Sequence, residues 1–340
     1  MKYKNQKLTH YVKAAGCAAK LSPGGLKTIL NFMQKSPALL SGIGNNEDAS
    51  VYQLNENLAL VQTLDFITPI VDSAYHFGAI AAANSLSDVF AMGAEVINAL
   101  NIVGFDKCNH DLEILQELLE GANDKVNECG ALIVGGHTIE SSELFFGLSA
   151  TGLVNPQEFI ANNTAKIGDF IVLTKPLGVG ILSTALKGDL LQERHLNLML
   201  ESMQTLNLKA SKIAKKFKAN AMSDVTGFGL LGHLSEMLNG FISIEIFKDE
   251  VPILDGVEEY LESGLIPGGA YRNFEFVKAF CPKIKDENLI LCDPQTSGGL
   301  LMALSEDKVK DCLKALHDEG IKAKIIGQCI SKQEINLILS

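Results

Sequence analysis

With 340 residues, 47% of them apolar and 20% charged, the chain exceeds one ordinary core and has the material for two packed globular domains. No apolar run approaches a membrane span, and the lysines at 2, 4, 7 and 13 have no apolar stretch behind them, which argues against a secretory signal. A net charge of −11 argues against a nucleic-acid partner, and seven scattered cysteines without CxxC spacing argue against a zinc site or disulfide framework and for a reducing cytoplasm.

The first distinctive stretch is Gly16-Cys17-Ala18-Ala19-Lys20-Leu21-Ser22-Pro23. It sets a thiol three residues from an ammonium, just before a helix start with Ser22 as cap and Pro23 as first residue. Nearby positive charge favours the reactive thiolate, while a small packed cysteine beside a surface lysine explains the same residues. A helix is expected over Leu26 to Met33, then a loop rich in glycine and asparagine from Leu39 to Asp48. Strands follow over Ala49 to Leu54 and Leu58 to Leu64, joined by the turn Asn55-Glu56-Asn57, with Asp65 at the carboxyl end of the second.

Gly78 to Met92 reads as an alanine-rich helix with one polar stripe at Asn84, Ser87 and Asp88. Val96 to Phe105 reads as a buried strand, and Asp111 to Cys129 as a helix burying Leu112, Leu115, Leu118, Leu119, Ala122 and Val126, stopped by Gly130. Ala131 to Val134 is expected as a short strand ending in a Gly135-Gly136-His137-Thr138 turn, and Phe145 to Val154 as another strand. Asn155-Pro156 then breaks the pattern, which divides the chain into domains 1–155 and 156–340.

In the second half, strands are expected at Phe170 to Thr174, Ile242 to Phe247, Leu300 to Leu304, Lys322 to Ile330 and Glu334 to Leu339. Helices are expected at Ile181 to Leu186, Glu193 to Phe217, from the Met222 to Gly229 turn through Leu238, and at Glu306 to Glu319. Strands and helices mix in both halves, so the fold class is α+β or mixed α/β.

Four aspartates are poorly explained by packing: Asp48, Asp65, Asp88 and Asp224. Hard oxygen ligands from several segments are what Mg²⁺ requires. The plainer alternatives are turn residues for Asp48 and Asp65, a solvated helix face for Asp88 and a helix cap for Asp224. Gly135-Gly136-His137-Thr138 and the glycines after Thr226 could offer backbone N–H groups to phosphate, though neither fits a P-loop or GxGxxG pattern. His137 reads equally as an ordinary loop histidine, and Asp293-Pro294-Gln295-Thr296-Ser297-Gly298-Gly299 reads as a structural turn.

Taken together, these stretches resemble the selenophosphate synthetase (selenide, water dikinase) family in its cysteine-containing form. The resemblance runs nearly end to end, through Leu8-Thr9, Gly16-Cys17 with Lys20, Glu47-Asp48-Ala49 and Thr63-Leu64-Asp65-Phe66 to Pro69-Ile70-Val71-Asp72. It continues through Asn84 to Gly93, Gly135-Gly136-His137, Leu173 to Gly178, Asp224 to Met237, Pro267-Gly268-Gly269 and Leu291 to Leu301. The wider aminoimidazole-ribotide-synthetase-like superfamily of ATP-binding enzymes shares some of the aspartates but not the Cys17/Lys20 pair.

The resemblance implies synthesis of selenophosphate, AMP and orthophosphate from selenide, ATP and water, with Mg²⁺. It implies a two-domain architecture of the aminoimidazole-ribotide-synthetase type and a homodimer pairing through its N-terminal domains. Carried over by position, Cys17 and Lys20 are catalytic and Asp48, Asp88 and Asp224 take metal positions. Lys20, Asn45, Asn46, Glu47, Asp65, Asp88, Gly136, His137 and Thr138 take nucleotide positions. Cys17 would bind or deliver selenium rather than carry phosphate. Two departures stand out: Ala19 occupies the place of a common second cysteine, and Glu47-Asp48 replaces a usual pair of aspartates, which leaves open how Glu47 meets a metal. The rival readings are a superfamily kinase or synthetase acting on another small acceptor, and a non-catalytic nucleotide-binding scaffold. The small and polar segments Leu8 to Lys20 and Ser41 to Glu47 are expected to be loosely held without ligand and to close over the triphosphate.

Overall fold

A computed structural model describes residues 7–17, 36–42 and 47–340. The expected helix over Leu26 to Met33, its Ser22-Pro23 start, and Lys20, Asn45 and Asn46 lie outside these residues. The N-terminal half is a six-stranded sheet in the order β1-β2-β3-β6-β4-β5. Its strands are β1 (Leu39–Ser41), β2 (Ser50–Asn55), β3 (Leu58–Ile67), β4 (Glu95–Phe105), β5 (Leu132–Glu140) and β6 (Phe145–Val154). All neighbours run antiparallel except β4 and β5. Alternation along β3 turns Ala59 and Val61 inward and leaves Leu64 and Phe66 exposed, the pattern of a sheet with one covered face. The strand continues past Asp65 to Ile67, so Asp65 lies within it and not at its end.

Helices α1 (Ala74–Ala91) and α2 (Leu112–Glu128) belong to this half. Glycine lets their backbones meet: a Cβ on Gly78 would lie 1.8 Å from the Leu118 carbonyl oxygen, and one on Gly121 2.0 Å from that of Tyr75. On α2, Ile114, Leu118, Ala122 and Val126 recur every fourth residue and are buried. Leu112, expected on that face, is instead 68% exposed because it is the first helical residue, before the helix meets its neighbour.

The Gly135-Gly136-His137-Thr138 stretch is not a turn. It continues β5 to Glu140, with a register shift opposite Ala99–Asn101. Gly135 and Gly136 hold φ of 151° and 156°, an extended conformation in the region that favours glycine, and a Cβ on Gly136 would come within 2.4 Å of the Asn101 carbonyl oxygen.

The second sheet runs β12-β9-β11-β7-β10-β8. It comprises β7 (Phe170–Leu173), β8 (Ala221–Asp224), β9 (Ile242–Ile246), β10 (Leu300–Leu304), β11 (Lys324–Ser331) and β12 (Leu337–Leu339). Its helices are α3 (Val179–Lys187), α4 (Glu193–Gln204), α5 (Leu208–Lys216), α6 (Gly229–Glu236), α7 (Val257–Glu262), α8 (Gly268–Val277) and α9 (Glu306–Asp318). The single helix expected over Glu193 to Phe217 is two, α4 and α5. Thr205 turns extended after α4, and the Asn207 side chain is drawn away to the Ser87 hydroxyl (2.9 Å) and the Gly298 carbonyl (2.8 Å). Residues 221–224 form a strand, so Asp224 closes β8 and does not cap a helix. The two halves share one core, in which Val179, Leu182, Met199 and Met203 join Phe77, Leu86 and Phe90.

The segment leading to Cys17 is docked across both halves. Leu8 and Val12 are buried, Asp72 accepts from the Thr9 N–H (3.1 Å) and hydroxyl (2.7 Å), and Lys187 donates to the Lys13 carbonyl (3.1 Å). Two apolar anchors four residues apart suffice here, although a window so short shows no periodicity.

Candidate active site

The polar stripe of α1 faces the protein interior. Asn84 and Ser87 are buried, and Asp88 accepts a hydrogen bond from the Thr63 hydroxyl of β3 at 2.5 Å. Asn84 donates through Nδ2 to Asp65 on the same strand. Two residues of one helix thus present an amide and a carboxylate to β3, where Asp65 and Thr63 emerge, while Ser87 on the same stripe accepts from Asn207 of the second half. This removes the solvated-face explanation of Asp88.

From the loop before β2, Asp48 reaches the other half of the chain and accepts from the Ser223 hydroxyl at 3.1 Å. Asp224, the next residue on β8, is 1% exposed. Glu47 accepts from the Asn162 N–H at 3.0 Å. Burial, then the charges of Asp224, Asp88, Glu236 and Glu47, hold the Asp48 carboxyl well above the usual carboxylate range. Burial also raises Glu47, against the Asn162 N–H and the nearby Ser41 hydroxyl. The three expected metal-site acids therefore gather within electrostatic reach of one another where the halves meet.

The donor chemistry of this cluster fits a hard dication. Asp48 Oδ2 and Glu47 Oε1 are buried oxygens with no hydrogen-bond partner among the described residues, and the mutual repulsion of the acids calls for positive charge. Among the described residues, however, no three acidic, histidine or cysteine side chains already converge on one ion. Oxygens from a bound phosphate would have to complete the shell.

Cys17 lies against the same structure. Its N–H donates to the Thr296 hydroxyl (3.2 Å) and its Sγ to Asn84 Oδ1 (3.5 Å), so one asparagine touches both Asp65 and the thiol. Gly136, His137 and Thr138 are not brought to the acids of their own chain. They lie on the exposed edge strand β5, which β4 and β6 separate from Asp65 on β3.

Sequence reasoning missed Glu236 and Lys175. Glu236 Oε2 lies 3.1 Å from His233 Nδ1, while Nε2 of the same ring accepts from the Thr226 N–H at 3.0 Å. The only signal was a histidine and an acid one helical turn apart in the run after Asp224. Lys175 is buried and donates to the Thr205 and Ser297 carbonyls, both at 2.7 Å. Burial lowers its ammonium to about 7, with Asp224 pulling the other way. A lysine directly after a buried strand, before Pro176, was the available cue.

Comparison with known proteins adds a lineage to this geometry. Residues 46–154 match the AIR synthase related protein N-terminal domain, and residues 166–340 match the corresponding C-terminal domain. The chain is 73% identical to the selenide, water dikinase of Campylobacter jejuni, each covered over 100% of its length. It is 48% identical to the enzyme of that name from Aliarcobacter butzleri, over 98% of this chain and 99% of the relative. Among solved structures, thiamine-monophosphate kinase from Stenotrophomonas maltophilia has a TM-score of 0.66 at 18% identity, over 93% of this chain and 94% of the other. Hydrogenase maturation protein HypE in complex with ATP also has a TM-score of 0.66 at 18% identity, over 98% of this chain and 89% of the other. Likeness at that identity establishes the fold, two joined α+β halves of the AIR synthase type.

Proposed function

The chain belongs to the selenide, water dikinase family, and from that membership we propose that it makes selenophosphate, AMP and orthophosphate from selenide, ATP and water. The observation that carries the reading is the double contact of Asn84, which puts the Cys17 thiol one side chain away from Asp65. We assign Asp65 to the nucleotide and Asp48, Asp88 and Asp224 to Mg²⁺, with Glu47 beside them and Glu236 adding negative charge. Mg²⁺ there would neutralise the triphosphate. Phosphoryl transfer is largely positioning and charge neutralisation, and these acids stand on a strand, a helix and the lip of a second sheet whose cores fix their spacing. Cys17 is the selenium-handling thiol, and Lys20 is assigned to the charge developing on the transferred group. Asn45 and Asn46 are assigned to the nucleotide on the resemblance alone.

Gly136, His137 and Thr138 become part of a nucleotide site in a homodimer. The uncovered face and edge of the first sheet expose Leu64 (58%), Leu132 (62%), Val134 (58%) and Ile139 (50%), an apolar surface fit for a second copy. The division into an ATP- and metal-binding domain over 1–155 and a second domain over 156–340 follows the two sheets, although residues from both complete the site. No helix among the described residues is long and apolar enough to cross a membrane. The seven free cysteines suit the reducing cytoplasm to which we assign the protein.

A phosphorus NMR time course with ATP, Mg²⁺ and selenide tests the reaction. Selenophosphate, AMP and orthophosphate should appear together and only with selenide. ATP consumption that ignores selenide would overturn the reading in favour of a superfamily kinase acting on another small acceptor.

A further inference from the structure

The turn Asp293–Gly299 is built far more tightly than a chain reversal needs. Gln295 donates its N–H to the Thr226 carbonyl (2.9 Å), Lys175 holds the Ser297 carbonyl, and Asn207 holds that of Gly298 (2.8 Å). Ser297 is one of three non-glycine residues at positive φ among those described (51°), and its N–H donates to Asn84 Oδ1 at 2.8 Å. These bonds fix Thr296 between them, and its hydroxyl accepts the Cys17 N–H.

The N-terminal segment is shaped to receive it. Gly16 sits at φ +57°, and a Cβ there would lie 2.6 Å from both the Thr296 hydroxyl and Ile70 Cδ1. Its N–H donates to the Thr68 carbonyl at 3.2 Å. Only glycine combines that conformation with that approach. The segment is thereby pinned one residue before the thiol, and Thr296 pins the thiol's own backbone.

We infer that Thr296 is a positioning residue for Cys17: the C-terminal half, through the Asp293–Gly299 turn, docks the selenium-handling thiol against Asn84 and hence beside Asp65. This rests on the reading of Cys17 given above. The hydroxyl is the working group, because it accepts the Cys17 N–H, and the side chain that carries it is buried. Thr296 touches neither selenide nor nucleotide in this role.

The test compares Thr296→Val, which keeps the shape, with Thr296→Ser, which keeps the hydroxyl. Three measurements are made on the full-length protein: iodoacetamide labelling of Cys17 read by peptide mass spectrometry, selenide saturation kinetics, and nucleotide affinity by calorimetry. Thr296→Val should label Cys17 about three- to tenfold faster and raise the half-saturating selenide concentration by a similar factor, the worth of one neutral hydrogen bond. Thr296→Ser should stay within about twofold of the parent protein on both. Gly16→Ala, which changes no residue of the turn but sets a methyl against Thr296, should also speed labelling. Unchanged labelling in both Thr296→Val and Gly16→Ala would overturn the inference, as would Thr296→Ser behaving like Thr296→Val. Labelling needs no selenide, so a parent protein that fails to use selenide would refute the proposed reaction while the docking is still decided.

Discussion

Asp293 carries a pH dependence that its replacement should erase. Its side chain is fully buried, and Oδ2 accepts from the Gly180 N–H (2.9 Å) and the Gln295 amide (2.8 Å), supplying an acceptor to the first turn of α3. Burial pushes the carboxyl up to about 7. Between its ordinary value of 3.8 and about 7, the folded protein holds a proton that the unfolded chain has released. The resulting stability is complete below 3.8 and is lost as pH rises through about 7. At about 1.4 kcal/mol per pH unit the whole loss is about 4 kcal/mol, with about 2 kcal/mol of it falling between about pH 5.5 and about pH 8. Asp293→Asn keeps an acceptor oxygen for Gly180 and carries no titrating proton. Its urea unfolding free energy should therefore gain on the parent protein by about 2 kcal/mol across that pH range. Parallel curves for the two proteins would show that Asp293 titrates normally and that the turn is not built around a neutral carboxyl.

Other substitutions address the remaining contacts. Gly78→Ala forces a methyl into the Leu118 carbonyl and should cost about 3 kcal/mol or more, read as a lowered thermal midpoint; an unchanged midpoint would mean the helices part freely. Asp224→Asn should weaken Mg-nucleotide affinity at least about tenfold by calorimetry, since an amide brings no charge to the cluster; unaltered affinity would separate the two halves chemically. Cys17→Ser should lose selenide-dependent turnover and keep nucleotide binding, because an alcohol is a poor ligand for soft selenium; parallel loss of both would make Cys17 structural.

Local pattern was enough for elements whose signals are themselves local. Strand β6 and strand β10 have the expected bounds, one before Asn155-Pro156 and the other after Gly298-Gly299. The glycine pair at 135 and 136 misled because glycine marks both turns and distorted strands, and only pairing with β4 tells them apart. The break between α4 and α5 contains no proline or glycine; it is made by contacts from Asn207 to Ser87 and Gly298. Periodicity found the stripe at Asn84, Ser87 and Asp88 but could not say whether water or carboxylates faced it. Asp48, Asp88 and Asp224 were legible as acids without a packing reason, whereas Glu236 looked like an ordinary helix residue. Cys17 and Thr296 are 279 residues apart, and no window spans such a contact.

The same distances bear on what the C-terminal half is for. Glu47, Asp48 and Asp88 come from the first half and Asp224 and Glu236 from the second, so their mutual repulsion acts across the junction of the two. Left alone, that repulsion would push the halves apart. It is opposed by the shared core and by the neutral contacts of Asn207 with Ser87 and of Asn84 with Ser297. A bound dication would change the sign of the electrostatic contribution and leave those contacts in place. Cation binding at the acids should therefore tighten the same junction that carries Thr296 to Cys17. Metal, nucleotide and thiol would then be linked through one interface, with Asn84 as the side chain that touches both ends of the link.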